Sequence, residues 1–292
     1  MRVALVHNDA AGDATSVSGV ARAISRHGHD IVAVTHPAAE MAVIAGLRVD
    51  LLAVAGGDGT VAAAAFALAE AAATIPMAIL PLGTANNTAT SLGVPADADA
   101  AVAAWATSVV RPFDLGRATG PWGERRFLES VGGGLVTHGI VVMDRRDYTS
   151  PSTEAQMARA RHAFADVLAQ LAAAPWDLAI DGTIVGESFL LVEVLNIGLI
   201  GPNLRLAHTS PSDGELAVVA APAESRDELR AALANGRPGC APSGLRTWRA
   251  REVTITRSDR LHVDDAVMDH VGVAPVRIGV DAAAISVLRP GS

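Results

Sequence analysis

Leu51-Leu52-Ala53-Val54-Ala55-Gly56-Gly57-Asp58-Gly59-Thr60 runs from an apolar segment through a glycine turn into Val61 to Ala73, an alanine-rich stretch that favours helix. A strand, a glycine turn and a helix in that order form a phosphate-binding site. Glycine lets the backbone approach phosphate oxygens, and a helix N-terminus offers unpaired N–H donors and partial positive charge. Read alone, Gly-Gly-Asp-Gly is equally a tight strand-to-helix turn, since Gly and Asp are common turn residues. A second segment tips the balance. Pro81-Leu82-Gly83-Thr84-Ala85-Asn86-Asn87 follows the apolar run Met77 to Leu80 and leads into Thr88 to Leu92, which Gly93 and Pro95 end. Two such turns at the ends of successive strands would lie side by side at the carboxyl edge of a sheet, where open α/β sheets bind ligands. The chain is expected to handle a nucleotide.

Working outward, the first third alternates strand and helix. Val3 to Val6 reads as a buried strand, Asn8 to Gly12 as a polar turn, and Val17 to Arg26 as a helix stopped near Gly28. Ile31 to Thr35 reads as a second strand, followed by a helix to Ala45 with Gly46 at its end. Repeated β-α-β units predict a parallel, doubly wound sheet. After Asp114 the character changes. Phe127 to Val131, Leu178 to Ile180, Phe189 to Ile197, Leu216 to Ala220, Val253 to Thr256 and Leu261 to Val263 predict a second, mostly antiparallel β domain. A helix is expected over Glu154 to Ala174, a mobile loop before it at Asp144 to Ser152, and a short helix at Asp227 to Ala234 inside a Gly/Pro-rich stretch.

The 292 residues suffice for one large domain or two ordinary ones, and 50% hydrophobic content makes the chain globular. Its single cysteine, Cys240, excludes an internal disulfide framework and a cysteine zinc site. No window reaches the ~20 uninterrupted apolar residues of a membrane span, and the N-terminus enters a strand-like run, so a cytoplasmic protein is expected. A net charge of -8 argues against nucleic-acid binding and against strong adsorption to anionic membranes. His262 and His270 lie near Asp264, Asp265 and Asp269, but repeat no metal-ligand spacing.

The GGDGT turn, the PLGTANN turn and Phe113-Asp114-Leu115-Gly116 together resemble the catalytic domain of the diacylglycerol kinase, sphingosine kinase and bacterial lipid kinase superfamily, distantly related to NAD kinases. Phe127 to Gly134 and Pro211-Ser212-Asp213-Gly214-Glu215-Leu216 extend the likeness over most of the chain. The resemblance implies an α/β nucleotide-binding domain over residues 1–116, rejoined by 276–292, and a β-rich substrate domain over 117–275. It implies ATP and Mg²⁺, a lipid or other hydroxyl-bearing acceptor and transient membrane contact, and it leaves a homodimer open. Carried over by position, it makes Asn8, Thr35, Gly56, Gly57, Asp58, Gly59, Thr60, Gly83, Thr84 and Asn86 nucleotide contacts. Asp58 and Asp114 become cleft carboxylates. Asp213 becomes a ligand of a structural Mg²⁺, with the carbonyls of Ser210 and Glu215 beside it.

The sequence departs from the family pattern at two places. Asn87 stands where an aspartate is usual, which removes a negative charge. Aligning Leu261-His262-Val263-Asp264-Asp265-Ala266 with the family's Asp-Gly-Glu element puts Ala266 at the general-base glutamate. Asp265, one residue away, is the replacement candidate if a bulge re-aims it. Three readings stay open: an ATP-dependent lipid kinase, an NAD kinase-like enzyme, and a nucleotide-binding homologue without fast turnover, the last favoured by Ala266, Asn87 and Glu129.

Overall fold

In the computed structural model, which describes residues 1–8, 17–35, 48–145, 152–235, 239–258, 260–268 and 274–291, the apolar runs of the first third become strands buried on both faces. Two units separate, Met1–Phe113 with Ala283–Ser292, and Asp114–Ala282. The expected boundaries at 116 and 276 lie a few residues from these divisions.

In the first unit, β1 (Arg2–His7), β2 (Asp30–Thr35), β3 (Leu51–Gly56) and β4 (Met77–Pro81) pair in parallel in the order β2-β1-β3-β4. Successive residues Val3, Ala4 and Leu5, and likewise Leu52, Ala53 and Val54, are all fully buried. Strands point alternate side chains to opposite faces, so both faces must be covered. Helices α1 (Val17–Arg26) and α4 (Ala98–Ala103) cover one, setting Val20, Ile24 and Val102 against Leu5, Ala53 and Leu80. Helix α2 (Asp58–Glu70) packs against β3. The chain's last strand returns to this sheet through a parallel pairing of Val287 with Met77. The α/β expectation for this region holds. Asp9 to Gly12 and the helix expected after Thr35 fall outside the described residues, as do His270 and Asp269.

The second unit is antiparallel. One sheet runs β14 (Arg246–Ala250), β13 (Leu216–Ala221), β10 (Leu191–Leu195), β7 (Ser130–Gly134), β16 (Leu261–Val263) and β17 (Ala266–Met268) in that order. A second contains β8 (Ala174–Ile180), β9 (Thr183–Phe189) and β15 (Glu252–Arg257), which pairs with Val276–Gly279 of β18 (Val276–Arg289). Phe127, Trp176, Phe189, Val192, Val218 and Ile278 fill one shared core. The other face of the first sheet is covered by α5 (Leu135–Asp144), α6 (Thr153–Gln170) and α7 (Arg226–Asn235), through Leu135, Phe164, Leu168 and Leu229.

Helix α6 stops four residues before the expected end at Ala174, and β8 begins there instead. Pro175 pushes the residue before it out of helical geometry, and the Arg226 guanidinium donates to the Leu168 and Leu171 carbonyls, capping the helix end. No described helix is long and apolar enough to cross a membrane.

Candidate functional site

Parallel pairing sets the ends of β1, β3 and β4 level, with His7 opposite Ala55 and Gly56 opposite Pro81. The two glycine turns therefore leave the same edge of the sheet, and they touch backbone to backbone. A Cβ on Gly83 would fall 2.4 Å from the Gly57 Cα, and one on Gly57 would fall 3.1 Å from the Gly83 Cα. Neither position admits a side chain without moving the other turn. Leu82 N–H donates to the Gly56 carbonyl at 3.0 Å, continuing the pairing into the turns.

Asp58 binds the two turns together. Its Oδ2 accepts from the Asn87 N–H and its Oδ1 from the Thr88 N–H, both at 3.0 Å. It thus caps the start of α3 (Asn87–Ser91) from another element, where carboxylates are favoured by the unpaired N–H groups and the helix dipole. Asn86, at a left-handed φ of 49°, closes its own turn. Its Oδ1 accepts from Gly83 N–H at 2.9 Å and its Nδ2 donates to the Gly83 carbonyl at 2.7 Å. Asn8, just past β1, donates through Nδ2 to Thr60 Oγ1 at 3.0 Å.

Helix α2 begins at the glycine turn itself, earlier than the alanine run suggests, so Asp58, Gly59 and Thr60 form its first turn. Its N-cap Gly57 has no side chain to supply a cap. The structure thus brings together Asn8, Gly56 to Thr60, Gly83 and Asn86, with Thr84 in the same turn. Thr35 is buried at the end of β2, opposite Val6 on β1. His7, buried at the same strand edge, was not singled out from sequence; its position as the last residue of an apolar run was the only signal.

The remaining candidates lie in the second unit. Asp114 is 1% exposed and its Oδ2 accepts from Gly214 N–H at 2.8 Å, while its own N–H donates to the Pro211 carbonyl. It anchors the Pro211–Gly214 turn. Asp265 is exposed in the tight turn between β16 and β17. Beside it Asp264, at φ 49°, accepts from the N–H groups of Leu128, Glu129 and Ser130. Burial raises its carboxyl to about 6, against the downward pull of those three donors.

At the expected Mg²⁺ site the Asp213 carboxylate is paired with an arginine. Asp213 Oδ2 lies 2.5 Å from Arg249 Nη2, and Glu215 Oε2 lies 3.2 Å from Arg249 Nε. Asp213 Oδ1 accepts the Glu215 N–H, and Ser210 and Ser212 pair through their hydroxyls. The single positive charge of the guanidinium is shared by the two carboxylates, and among the described residues no group of three His, Cys, Asp or Glu side chains could hold a metal ion.

Residues 2–118 match the diacylglycerol kinase catalytic domain. This segment belongs to that family. Curated relatives agree. The chain is 28% identical to a diacylglycerol kinase of Mycobacterium tuberculosis (strain ATCC 25618 / H37Rv), over 99% of this chain and 95% of that one. It is 35% identical to a protein of Klebsiella pneumoniae (strain 342) named "probable lipid kinase YegS-like", over 34% of this chain and 39% of the relative's length. The fold is shared with a crystal structure of a diacylglycerol kinase from Bacillus anthracis str. Sterne, at 18% identity and a TM-score of 0.70, covering 99% of this chain and 96% of that one.

Two outcomes follow from this geometry. Asp58→Ala leaves two turn N–H groups without an acceptor and is expected to lower folding stability by about 1–3 kcal/mol, measured by chemical denaturation; an unchanged midpoint would contradict the bridge. Chelation of divalent ions from nucleotide-free protein is expected to leave the thermal midpoint unchanged. A fall that Mg²⁺ restores would show a cation bound despite Arg249.

Proposed function

We propose that the protein is a lipid kinase that transfers the γ-phosphoryl group of magnesium-bound ATP to a hydroxyl of a lipid such as diacylglycerol. The observation that carries this reading is Gly59. A Cβ added there would meet nothing within 4 Å, so packing does not account for glycine on the first turn of α2. Glycine in a helix costs roughly 0.5–1 kcal/mol relative to alanine, and a phosphate lying against the N-terminal N–H groups of that helix supplies the reason to keep it. The family of residues 2–118 supports the reaction type, and the lipid kinase relatives support the acceptor class.

In this reading the backbone of Gly56 to Thr60, with Gly83, Thr84 and Asn86, holds the phosphates, and Asn8 and Thr35 flank the nucleotide. Asp58 keeps the two turns in register. Mg²⁺ arrives with the nucleotide and offsets phosphate charge during transfer. Asp114 fixes the turn before β13, and Asp265 receives the acceptor's proton. Phosphoryl transfer has a loose transition state that depends mostly on positioning and electrostatics. General-base assistance contributes about 10²–10⁴-fold, so even without Asp265 in that role Ala266 would slow the reaction rather than abolish it. The protein works in the cytoplasm and touches the membrane transiently. Ala266 also supports the second reading, a nucleotide-binding protein without turnover.

The test is a transfer assay with labelled ATP and Mg²⁺ against diacylglycerol, monoacylglycerol, phosphatidylglycerol, sphingosine and NAD, run beside Gly59→Ala. Lipid product is expected from the wild type. Gly59→Ala should fold at least as stably, because it removes a helical glycine, yet bind ATP more weakly because its methyl enters the phosphate position. Product on NAD alone would assign an NAD kinase, ATP binding without product the second reading, and undiminished ATP affinity in Gly59→Ala would move the phosphates elsewhere.

A further inference from the structure

In the six-stranded sheet of the second unit, the register sets Glu193 of β10 opposite Gly132 of β7, and Gly132 opposite His262 of β16. Because the middle residue has no side chain, the outer two meet over it, with His262 Nε2 3.0 Å from Glu193 Oε1. A Cβ at position 132 would fall 2.3 Å from the Glu193 Cδ. The pair is sealed from solvent, its side chains 1% and 0% exposed.

The other ring nitrogen, Nδ1, lies 2.9 Å from the Asp264 carbonyl oxygen. That oxygen only accepts, so Nδ1 carries a hydrogen. A neutral ring then presents a lone pair at Nε2, and the hydrogen between the two side chains belongs to the glutamic acid. The segments packed round the pair, β7, β10, β13, β16, β17 and α5, hold no lysine or arginine. Their ionisable groups, with those of the described residues that directly adjoin them, are Glu129, His138, Asp144, Arg145, Glu215, Arg260, Asp264 and Asp265, and of these Arg145 and Arg260 are exposed. The six segments themselves carry no cation to favour a carboxylate, and desolvation disfavours a buried charge. Burial acts on both partners in the same sense, raising Glu193 well above its ordinary range and lowering His262 to about 3.

We propose that Glu193 and His262 hold a single proton between them, as carboxylic acid and neutral imidazole, and that this pair positions the turn of Asp264. Through Nδ1–H the imidazole fixes the Asp264 carbonyl, and the left-handed backbone of that residue aims its carboxylate at the amides of Leu128 to Ser130. The pair lies wholly within the second unit and stands or falls independently of the transfer reaction.

Proton linkage gives one readout. Glu193 keeps its proton in the fold, whereas unfolded it releases it above its ordinary value of 4.5. Its contribution to stability is complete below that pH and is lost as pH rises. His262 acts oppositely, its contribution being lost as pH falls below 6.5 toward about 3. Glu193→Gln keeps a donor toward Nε2 but has no proton to lose. The folding constant of this variant relative to wild type should therefore rise with pH above 4.5, by up to about tenfold per pH unit while the folded Glu193 stays protonated. A flat ratio would mean an ionised Glu193 and overturn the proposal.

Nitrogen-15 spectra of histidine-labelled wild type supply the second readout. His262 should show the neutral Nδ1–H tautomer and stay unmoved while exposed histidines titrate; an imidazolium or an Nε2–H ring would overturn the assignment. Glu193→Leu should speed amide exchange at Leu128 to Ser130, and Glu193→Gln should not. Equal exchange in all three proteins would remove the positioning role.

Discussion

The first unit depends on a contact that only two hydrogens permit. Gly57 and Gly83 meet through their backbones, and the rest of this sheet edge is arranged around that approach. With the turns this close, Asp58 on one reaches the first amides of the helix that starts on the other. Asn8 then closes onto Thr60 from a third strand. The result is a rim of backbone donors held by side chains that point inward, with the face at Gly59 left open. Rigid turns suit phosphoryl transfer, which draws its rate from positioning rather than from covalent chemistry.

The second unit solves similar problems with buried polar groups. Asn196 donates to the carbonyls of Asp114 and Leu128, Asp114 accepts from Gly214, and Asp264 accepts from three successive amides. Each ties together segments distant in sequence, where a water or an ion would otherwise be needed. At the surface, the Arg249 guanidinium meets both carboxylates of the Asp213–Glu215 turn.

What the sequence discloses here is local. The strand-turn-helix order at Gly56 to Thr60, the helix over Val17 to Arg26 and the antiparallel character after Asp114 all follow from periodicity and from glycine, and all are seen. The family likeness was carried by short turns whose backbone demands leave a recognisable residue pattern. The bridge from Asp58 to Asn87 was hidden because the aspartate lies 29 residues from its partner, and no local pattern distinguishes a capping carboxylate from a metal-binding one. Gly132 is similar. Its purpose is to leave space between two strands that are neither adjacent in the sequence nor paired to each other. The early end of α6 could have been read from Pro175, but apolar spacing through Leu171 masked it.

In the proposed function, the open face beside Gly59 receives the phosphates of a nucleotide. Amide hydrogen exchange of the whole protein, with and without magnesium-bound ATP, tests it most directly. Protection is expected at Gly57 to Thr60 and at Gly83 to Asn87, with little change across the antiparallel sheet of the second unit. Exchange unaltered at both turns, while ATP protects some other segment, would contradict the account.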